Sequence, residues 1–345
     1  MFAVLDVETT GLSPEVGDRV VEIAILRLRP DGVVTDEFTT LVNPQRDVGP
    51  SWVHGLLPDD VATAPTFHEI AGDVLARLRG MIVVAHNTAF DLGFLSAELT
   101  AEGVFLPVLP SLCTLKLSYR LHPTLLNHKL TTCCEAAGVE ETGSHSAMND
   151  ARITERLLMT YIGEAGKDGM TIEQLLGAKL AFPPSWPSIP STRRVVVRSS
   201  RSEARVDPPY LARLVTRLAL LPADEALAPY LDLLDRALAD RRVTPEEAVA
   251  LQACAVACGL TAAQAMEAHY DYMNALVVAA LSDDVITDNE RRDLVDVASL
   301  LGIPLGTLDA LISSHRSGES DRTRTAQPAA RPAASLTATD GEEPR

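Results

Sequence analysis

The stretch FAVLDVETTGL, residues 2–12, decides the fold of the N-terminal part of this chain. Four apolar residues lead into Asp6 and Glu8, which flank Val7. Side chains two positions apart point to the same face of a β-strand. We therefore predict a buried strand near residues 2–8 that places both carboxylates on one face and Val7 in a core on the other.

Two later segments each contain a histidine and an aspartate next to a predicted secondary-structure element. HNTAFD (86–91) follows the apolar run MIVV and leads into the helix-forming stretch DLGFLSAEL, while HSAMND (145–150) opens an amphipathic helix. Five helical steps separate His145 from Asp150, which is about 140° around the helix axis. We therefore expect His145 at or before the helix start and Asp150 on the inward face.

Clustered carboxylates need a physical reason to coexist, because mutual repulsion favours their protonated forms. Divalent cations such as Mg²⁺ and Mn²⁺ remove that repulsion and prefer oxygen ligands. Two such ions, roughly 3.5–4 Å apart, stabilise the attacking and leaving oxygens of a displacement at phosphorus. A nearby histidine, with an unperturbed pKa of about 6.5, can deprotonate the attacking water.

In this order, the three segments resemble the DEDDh (DnaQ-like) family of 3′→5′ exonucleases, the group that includes the epsilon subunit of bacterial DNA polymerase III. The resemblance covers about residues 1–165, and the third motif is the histidine type, H-x₄-D. Softer similarities are WVHGLLPDDVATAPTFHEI (52–70) and NHKL (127–130).

The resemblance implies a role for each matched residue. Four carboxylates would bind two Mg²⁺ or Mn²⁺ ions: Asp6, Glu8, Asp91 and Asp150. His145 would be the general base. The implied or candidate substrate contacts are Thr10, Gly11, Leu12, His54, Asn87 and Phe90.

Within that set, Leu12 would lie between the last two bases and Phe90 beside the terminal sugar or base. The alternative for both residues is a plain place in the core. For His54 the alternative is a structural role in the turn before Gly55.

The periodicity predicts an α/β domain. Strands are expected near 2–8, 20–29, 33–42, 81–86 and 108–113, and helices near 66–79, 88–102, 114–121, 128–137 and 146–163. Asp31-Gly32 is a hairpin signal between the second and third strands. Antiparallel strands followed by strands that alternate with helices indicate a mixed sheet with helices on its faces. This order matches the ribonuclease-H-like fold that the resemblance implies.

Composition sets the wider frame. A chain of 345 residues with 46% hydrophobic residues predicts two domains with real cores. No apolar run of 18 residues and no basic stretch before the first apolar run occur, so we expect neither a membrane association nor a secretory signal, and a cytoplasmic location. The five cysteines lack zinc-site spacing and are expected to be reduced thiols.

The net charge of −17 is unusual for a protein that handles nucleic acid. Such a charge opposes long-range capture of a polyanion. We therefore expect weak, short-footprint binding of a 3′ end. The basic stretch 193–201 is either a phosphate contact or, as is more common, part of a soluble linker.

A gap-free internal repeat marks a second, all-α domain. Residues 237–261 align on 280–304 at an offset of 43, and both copies contain a threonine followed three residues later by glutamate and, further on, a glycine. That spacing predicts capping boxes and helix-ending glycines. The pattern resembles TerB-like helical domains, which implies an interaction or stress-linked role. Calcium loops are an alternative, but the ligand pattern of an EF-hand is missing.

The predicted organisation is therefore an exonuclease domain (1–165), a connecting segment with a Pro/Arg-rich linker (166–206), a helical TerB-like domain (207–314) and a disordered tail (315–345). The predicted function is 3′→5′ hydrolysis of single-stranded DNA in repair or proofreading, releasing nucleoside 5′-monophosphates. Two alternatives stay open: the same chemistry on RNA 3′ ends, and a protein whose main function is binding of a protein partner through the helical domain.

Overall fold

The computed structural model describes most of the chain. The described residues are 1–125, 127–140, 146–177, 180–192, 194–198, 226–238, 243–281 and 286–325. His145 therefore lies outside the described residues, as do residues 326–345 of the predicted disordered tail; residues 315–325 of that tail instead continue the last helix.

The N-terminal part is built on a five-stranded mixed sheet of order β3-β2-β1-β4-β5. The strands are β1 (Phe2–Thr9), β2 (Val20–Leu28), β3 (Val34–Leu41), β4 (Ile82–Ala85) and β5 (Ser111–Cys113). β1 pairs antiparallel with β2 and parallel with β4. The predicted Asp31-Gly32 hairpin joins β2 to β3, and Gly32 has the positive φ of +83° that such a turn requires. The mixed sheet predicted from the sequence is confirmed.

Helices follow the strands in the predicted alternation. They are α1 (Ser51–His54), α2 (Pro58–Val61), α3 (Phe67–Leu78), α4 (Thr88–Ala101), α5 (Thr114–Leu121), α6 (Leu130–Ala137), α7 (Ala147–Lys167) and α8 (Ile172–Leu176). A short 3₁₀ turn, Pro14–Val16, follows β1.

The two faces of the sheet bury different cores because β1 alternates. Ala3, Leu5 and Val7 pack in one cluster with residues of α3 and α4. Phe2 and Val4 pack on the other face with residues of α5, α6 and α7. The even-numbered residues of β1 therefore face α7, and this assigns the side of the sheet on which Asp6 and Glu8 lie.

The described part of the Pro/Arg-rich segment docks on this domain instead of extending from it. The Trp186 indole donates a hydrogen bond to the Leu75 carbonyl at 3.0 Å, and the Leu41 N–H donates to the Val196 carbonyl at 2.7 Å. Arg198 forms an ion pair of 2.6 Å with Glu22, with the two side chains only 9% and 3% exposed. A buried carboxylate needs a cationic partner, so this part of the basic stretch contacts the protein's own acid.

The described residues after 225 form helices. These are α9 (Ala228–Leu238), α10 (Pro245–Ala257), α11 (Ala262–Ala280), α12 (Asp288–Leu300) and α13 (Leu305–Thr325). They share a separate apolar core whose largest fully buried side chain is Tyr272.

The internal repeat appears as two equivalent helix starts and ends. Thr244 and Thr287 each begin a helix as N-cap with a complete capping box. Gly259 and Gly302 follow the two helices with φ of +69° and +70°. Because glycine adopts such angles without a Cβ penalty, these predictions from the repeat are confirmed.

Among the described helices, no single one has the length and apolar character to cross a membrane. α10 and α11 meet that test only when taken together across a bend of 118°.

Candidate active site

Three of the four predicted carboxylates converge between β1 and α7. One oxygen from each of Asp6, Glu8 and Asp150 lies within 4.8 Å of the others. The strand alternation brings the first two to the α7 side, and the helix start brings the third. α7 begins at Ala147 behind the N-cap Ser146, so Asp150 lies in its first turn.

Asp91 reaches the same region from the other side of the sheet. It lies in the first turn of α4 and is 4% exposed. Its Oδ1 accepts a hydrogen bond of 3.2 Å from the backbone N–H of Val7. Since Val7 stands between Asp6 and Glu8, this bond holds Asp91 beside the carboxylate pair on β1.

The pKa values of three of these acids are raised, because burial and mutual repulsion disfavour their charged forms. Burial, and then the charges of Asp150, Asp91 and Glu8, raise the pKa of Asp6 well above its usual value. Burial, and then Asp150, raise the pKa of Glu8 to about 8. Burial raises the pKa of Asp91 to about 7. All-oxygen donors that repel one another in this way suit a hard divalent cation.

Glu22 is an acidic neighbour that the sequence patterns do not single out. It is paired with Glu8 across β1 and β2, and it is 2% exposed. Besides the ion pair to Arg198, its Oε2 accepts a hydrogen bond of 3.2 Å from the Ala147 N–H. Glu22 therefore fixes the start of α7, and with it Asp150, against the sheet.

The Thr10-Gly11-Leu12 turn is shaped by Asp18. The Thr10 hydroxyl donates to Asp18 Oδ1 at 3.1 Å and the Ser13 N–H donates to Asp18 Oδ2 at 3.1 Å. A Cβ on Gly11 would lie 2.3 Å from that carboxylate, so a larger residue would displace Asp18 from these hydrogen bonds. The Thr10 side chain is buried and used structurally, whereas Leu12 is half-buried.

Asn87 and Phe90 lie at the start of α4, next to Asp91. Asn87 caps the helix with a φ of +79°, and its side-chain amide donates to Asp232 of α9 at 2.7 Å. Phe90 packs against Phe94, with the ring centres 4.9 Å apart and the ring planes tilted by 49°, and the guanidinium of Arg236 lies over the Phe90 face. The contacts to α9 could not be predicted from sequence, because roughly 145 residues separate the partners.

His54 is placed in the interior. It is 1% exposed, its Nε2 is hydrogen-bonded to the Val48 carbonyl at 3.1 Å and its Nδ1 accepts from the Leu56 N–H at 3.1 Å. Burial lowers its pKa to about 4. Both ring nitrogens are used within the protein, so the structural alternative explains this residue; a substrate contact by His54 stays a prediction.

His86, the first residue of the second motif, also links elements of the fold. Its two nitrogens are hydrogen-bonded to the Thr114 hydroxyl and to the His128 carbonyl, each at 3.0 Å. Burial lowers its pKa to about 4. A neutral His86 therefore ties the end of β4 to α5 and to the NHKL segment.

Comparison with known proteins identifies similar sequences. The family model RNase_T, described as Exonuclease, matches residues 3–158. The 3′-5′ exonuclease DinG of Bacillus subtilis (strain 168) is 35% identical over 164 residues, which is 47% of this chain and 17% of that protein. The DNA polymerase III PolC-type protein of Halalkalibacterium halodurans is 32% identical over 166 residues, which is 48% of this chain and 11% of that protein.

Among solved structures, Exonuclease X in complex with 5′ overhanging duplex DNA aligns with 51% of this chain and 98% of its own at 26% identity and a TM-score of 0.39. By contrast, the part of this chain that matches DinG and the PolC-type protein spans less than a fifth of the length of either relative. The match to the Exonuclease family model covers the elements that hold the carboxylate site, and it ends before the helices that follow residue 225.

Proposed function

We propose that this protein is a metal-dependent 3′→5′ exonuclease that acts on single-stranded nucleic acid and releases nucleoside 5′-monophosphates. The observation that carries the proposal is the convergence of Asp6, Glu8 and Asp150 within 4.8 Å, with Asp91 held beside them. The family match over residues 3–158 supports the reaction class.

Asp6, Glu8, Asp91 and Asp150 would hold two Mg²⁺ or Mn²⁺ ions. The chemistry that such ions supply is a lowered pKa of water and stabilisation of charge at phosphorus. The raised pKa values of the buried acids support this assignment, because a bound dication returns each carboxyl to its ionised form.

His145 would take the proton from the attacking water. α7 begins at Ala147, two residues after His145, in keeping with a histidine that precedes the helix while Asp150 faces inward. Leu12 and Phe90, which are both half-buried, would contact the terminal nucleotide. The helical part after residue 225 would be a docking or regulatory domain, and its TerB-like character stays a prediction.

We prefer DNA as the substrate, and the test is designed to separate it from RNA. Single-stranded deoxy- and ribo-oligonucleotides of one sequence, labelled at either end, are incubated with Mg²⁺, Mn²⁺ or EDTA. We expect the 5′-labelled DNA to shorten one nucleotide at a time and the 3′ label to leave at once as a mononucleotide, only with metal.

The control is Asp150→Asn, which keeps the size of the side chain and removes a negative charge. Faster shortening of RNA than of DNA would assign the enzyme to RNA 3′ ends. Absence of shortening by the wild type with either metal, or equal rates in the wild type and Asp150→Asn, would overturn the proposal.

A further inference from the structure

α9 packs next to the carboxylate site, where two polar contacts hold it against the N-terminal domain. Asp232 accepts the hydrogen bond from Asn87 at 2.7 Å, and Asp235 pairs with Lys129 at 2.7 Å. Asn87 and Asp235 are only 2% and 8% exposed. Contacts buried to this extent fix a helix more firmly than surface ion pairs do.

Arg236 is the residue that α9 presents to the site. Its Nε is 3.2 Å from Asp232 Oδ2, one helical turn earlier, and its guanidinium carbon is 4.4 Å from the centre of the Phe90 ring. Phe90 directly precedes Asp91. The Arg236 side chain nevertheless keeps 41% of its surface exposed. The side chain therefore contacts Asp232 on one side and Phe90 on one face, and part of its surface remains accessible.

The position of Arg236 brings its charge close to the carboxylates. Its guanidinium lies over Phe90, which directly precedes Asp91, and Asp91 accepts the hydrogen bond from the Val7 N–H between Asp6 and Glu8. The cation is therefore placed beside acids that would hold metal.

A second helix of the same domain borders the site elsewhere. α10 contacts the 3₁₀ turn Pro14–Val16, which comes just after the Thr10-Gly11-Leu12 turn. The helical domain thus touches two segments beside the carboxylates: the start of α4 and the turn after β1. A nucleotide strand that reaches the carboxylates would therefore pass next to the helical domain.

We propose that Arg236 is a substrate-binding residue, supplied by the helical domain, that binds a phosphate group near the 3′ end of the strand. The inference rests on the proposed exonuclease function and deepens it. Arginine offers a planar fork of donors that matches phosphate oxygens and stacks on an aromatic ring. Phe90 and Asp232 hold that fork in one orientation beside the site.

The need for such a residue follows from charge. A chain of net charge −17 repels a polyanion at long range. Metal ions bound by the four acids would repel the guanidinium and attract the phosphate. With both metal and strand present, the guanidinium, still held by Phe90 and Asp232, would interact with the substrate phosphate in place of the protein's own carboxylates.

The same contacts suggest an alternative in which α9 blocks substrate binding. α9 uses the Asn87 amide and covers one face of Phe90, both of which are candidate substrate contacts. If α9 were a barrier, removing the guanidinium of Arg236 would uncover the face of Phe90 and strengthen binding. A phosphate contact predicts weaker binding, so the sign of the effect decides between them.

The experiment measures binding and turnover of the full chain with a 5′-fluorescein-labelled single-stranded DNA 12-mer. The variants are Arg236→Gln, Arg236→Lys and, as matched control, Arg291→Ala. Arg291 is an arginine of the same domain that pairs with Asp309 at 2.8 Å and is 52% exposed. Fluorescence anisotropy in Ca²⁺, across a salt series, gives affinity, and Mg²⁺ assays give kcat and KM.

We expect Arg236→Gln to weaken binding about ten- to a hundredfold, the range for a charge-assisted hydrogen bond. The slope of log affinity against log salt should become shallower by about 0.7, the value for one phosphate contact on a single strand. Arg236→Lys should restore part of the affinity and all of the slope. Arg291→Ala should bind like the wild type, and thermal melting should show that all variants fold.

Unchanged affinity and slope in a folded Arg236→Gln variant would overturn the inference, and so would tighter binding or faster turnover, which would make α9 a barrier. Absence of binding by the wild type would overturn it as well. The proposed function fails by a different result, the absence of metal-dependent shortening in the wild type. The two failures are therefore distinguishable in one set of preparations.

Discussion

The backbone N–H of Val7 donates a hydrogen bond of 3.2 Å to Oδ1 of Asp91, 84 residues away. This bond joins the first and second acidic segments of the chain. Val7 can serve in it because its side chain is buried in the α3–α4 core while its backbone faces the start of α4. Val7, the residue between the two β1 carboxylates, therefore positions Asp91.

This geometry predicts different results for two substitutions of Asp91. Asp91→Asn keeps an oxygen that can accept from Val7 but loses the charge. Its activity should fall more than about a hundredfold, since even partners outside the ligand set typically cost 10–100-fold, while its metal-free stability to urea should equal or exceed that of the wild type, because a buried acid with a raised pKa is removed.

Asp91→Ala should lose the same activity and, in addition, about 1–3 kcal/mol of stability, because the Val7 N–H is left without its partner. Urea unfolding and turnover should be measured on both variants. Equal stability of the Ala and Asn variants would contradict the role of this bond.

The carboxylate cluster predicts how metal-free stability depends on pH. Burial first, and then Asp150, raise the pKa of Glu8 from 4.5 to about 8. Between these values the folded state binds more protons than the unfolded state, so stability falls as pH rises. In EDTA, the melting temperature should decrease from pH 5 to pH 8, and Mg²⁺ should restore it at pH 8.

Glu8→Gln is the matched variant for this effect, because it removes the titrating group and keeps its size. Its metal-free melting temperature should decrease less over the same range and exceed that of the wild type at pH 8. An equally steep decrease in both proteins would rule out Glu8 as a source of the pH dependence.

Gly11 is predicted to tolerate no side chain. A Cβ would lie within 2.6 Å of all three atoms of the Asp18 carboxyl group, which is held by Thr10 and Ser13. Gly11→Ala should cost about 1–3 kcal/mol, the range for overpacking, and should raise KM by displacing the turn.

Gly163→Ala in α7 is the control, since nothing lies within 4 Å of its added Cβ. That change should be neutral or stabilise by up to about 1 kcal/mol. Chemical denaturation of both variants checks the pair, and a Gly11→Ala protein as stable as Gly163→Ala would show that the turn adapts.

Two arginine–carboxylate pairs of equal length should contribute differently to the free energy of unfolding. The Arg198–Glu22 and Arg29–Asp31 pairs are both 2.6 Å long, but the first is 9% and 3% exposed and the second 51% and 56%. Arg198→Ala should destabilise by about 3–5 kcal/mol, because a buried carboxylate loses its partner. Arg29→Ala should leave stability nearly unchanged, because solvent screens an exposed pair.

Urea denaturation of the two single variants tests this contrast. Arg198→Ala should also lower activity, because Glu22 fixes the start of α7 near Asp150. Comparable losses of stability in the two variants would mean that the segment around Arg198 is not anchored by this pair.

Much of this fold follows from local patterns. Alternation along β1 predicts that Asp6 and Glu8 share a face, and the structure adds that this face meets α7. The threonine–glutamate spacing predicts the helix starts at Thr244 and Thr287. Both signals are local, because they depend on strand geometry and on capping within one helical turn.

The remaining features depend on contacts between distant segments, for which one sequence has no signal. Arg198 and Arg236 are surface-type residues in composition, yet Arg198 pairs with the distant Glu22 and Arg236 lies over the ring of the distant Phe90. His54 lies in a segment similar to an exonuclease motif, and the structure places it in the interior. Tertiary packing decides these positions, and no local pattern anticipates them.

The central claim is that the four acids form a metal-dependent exonuclease site. The most direct test is a time course on 5′-labelled single-stranded DNA with Mg²⁺, comparing the wild type with Asp150→Asn and adding EDTA midway. We predict a ladder of products that shorten from the 3′ end in the wild type, an immediate stop on addition of EDTA, and an intact strand with Asp150→Asn. A ladder that continues in EDTA, or that Asp150→Asn also produces, would contradict the account.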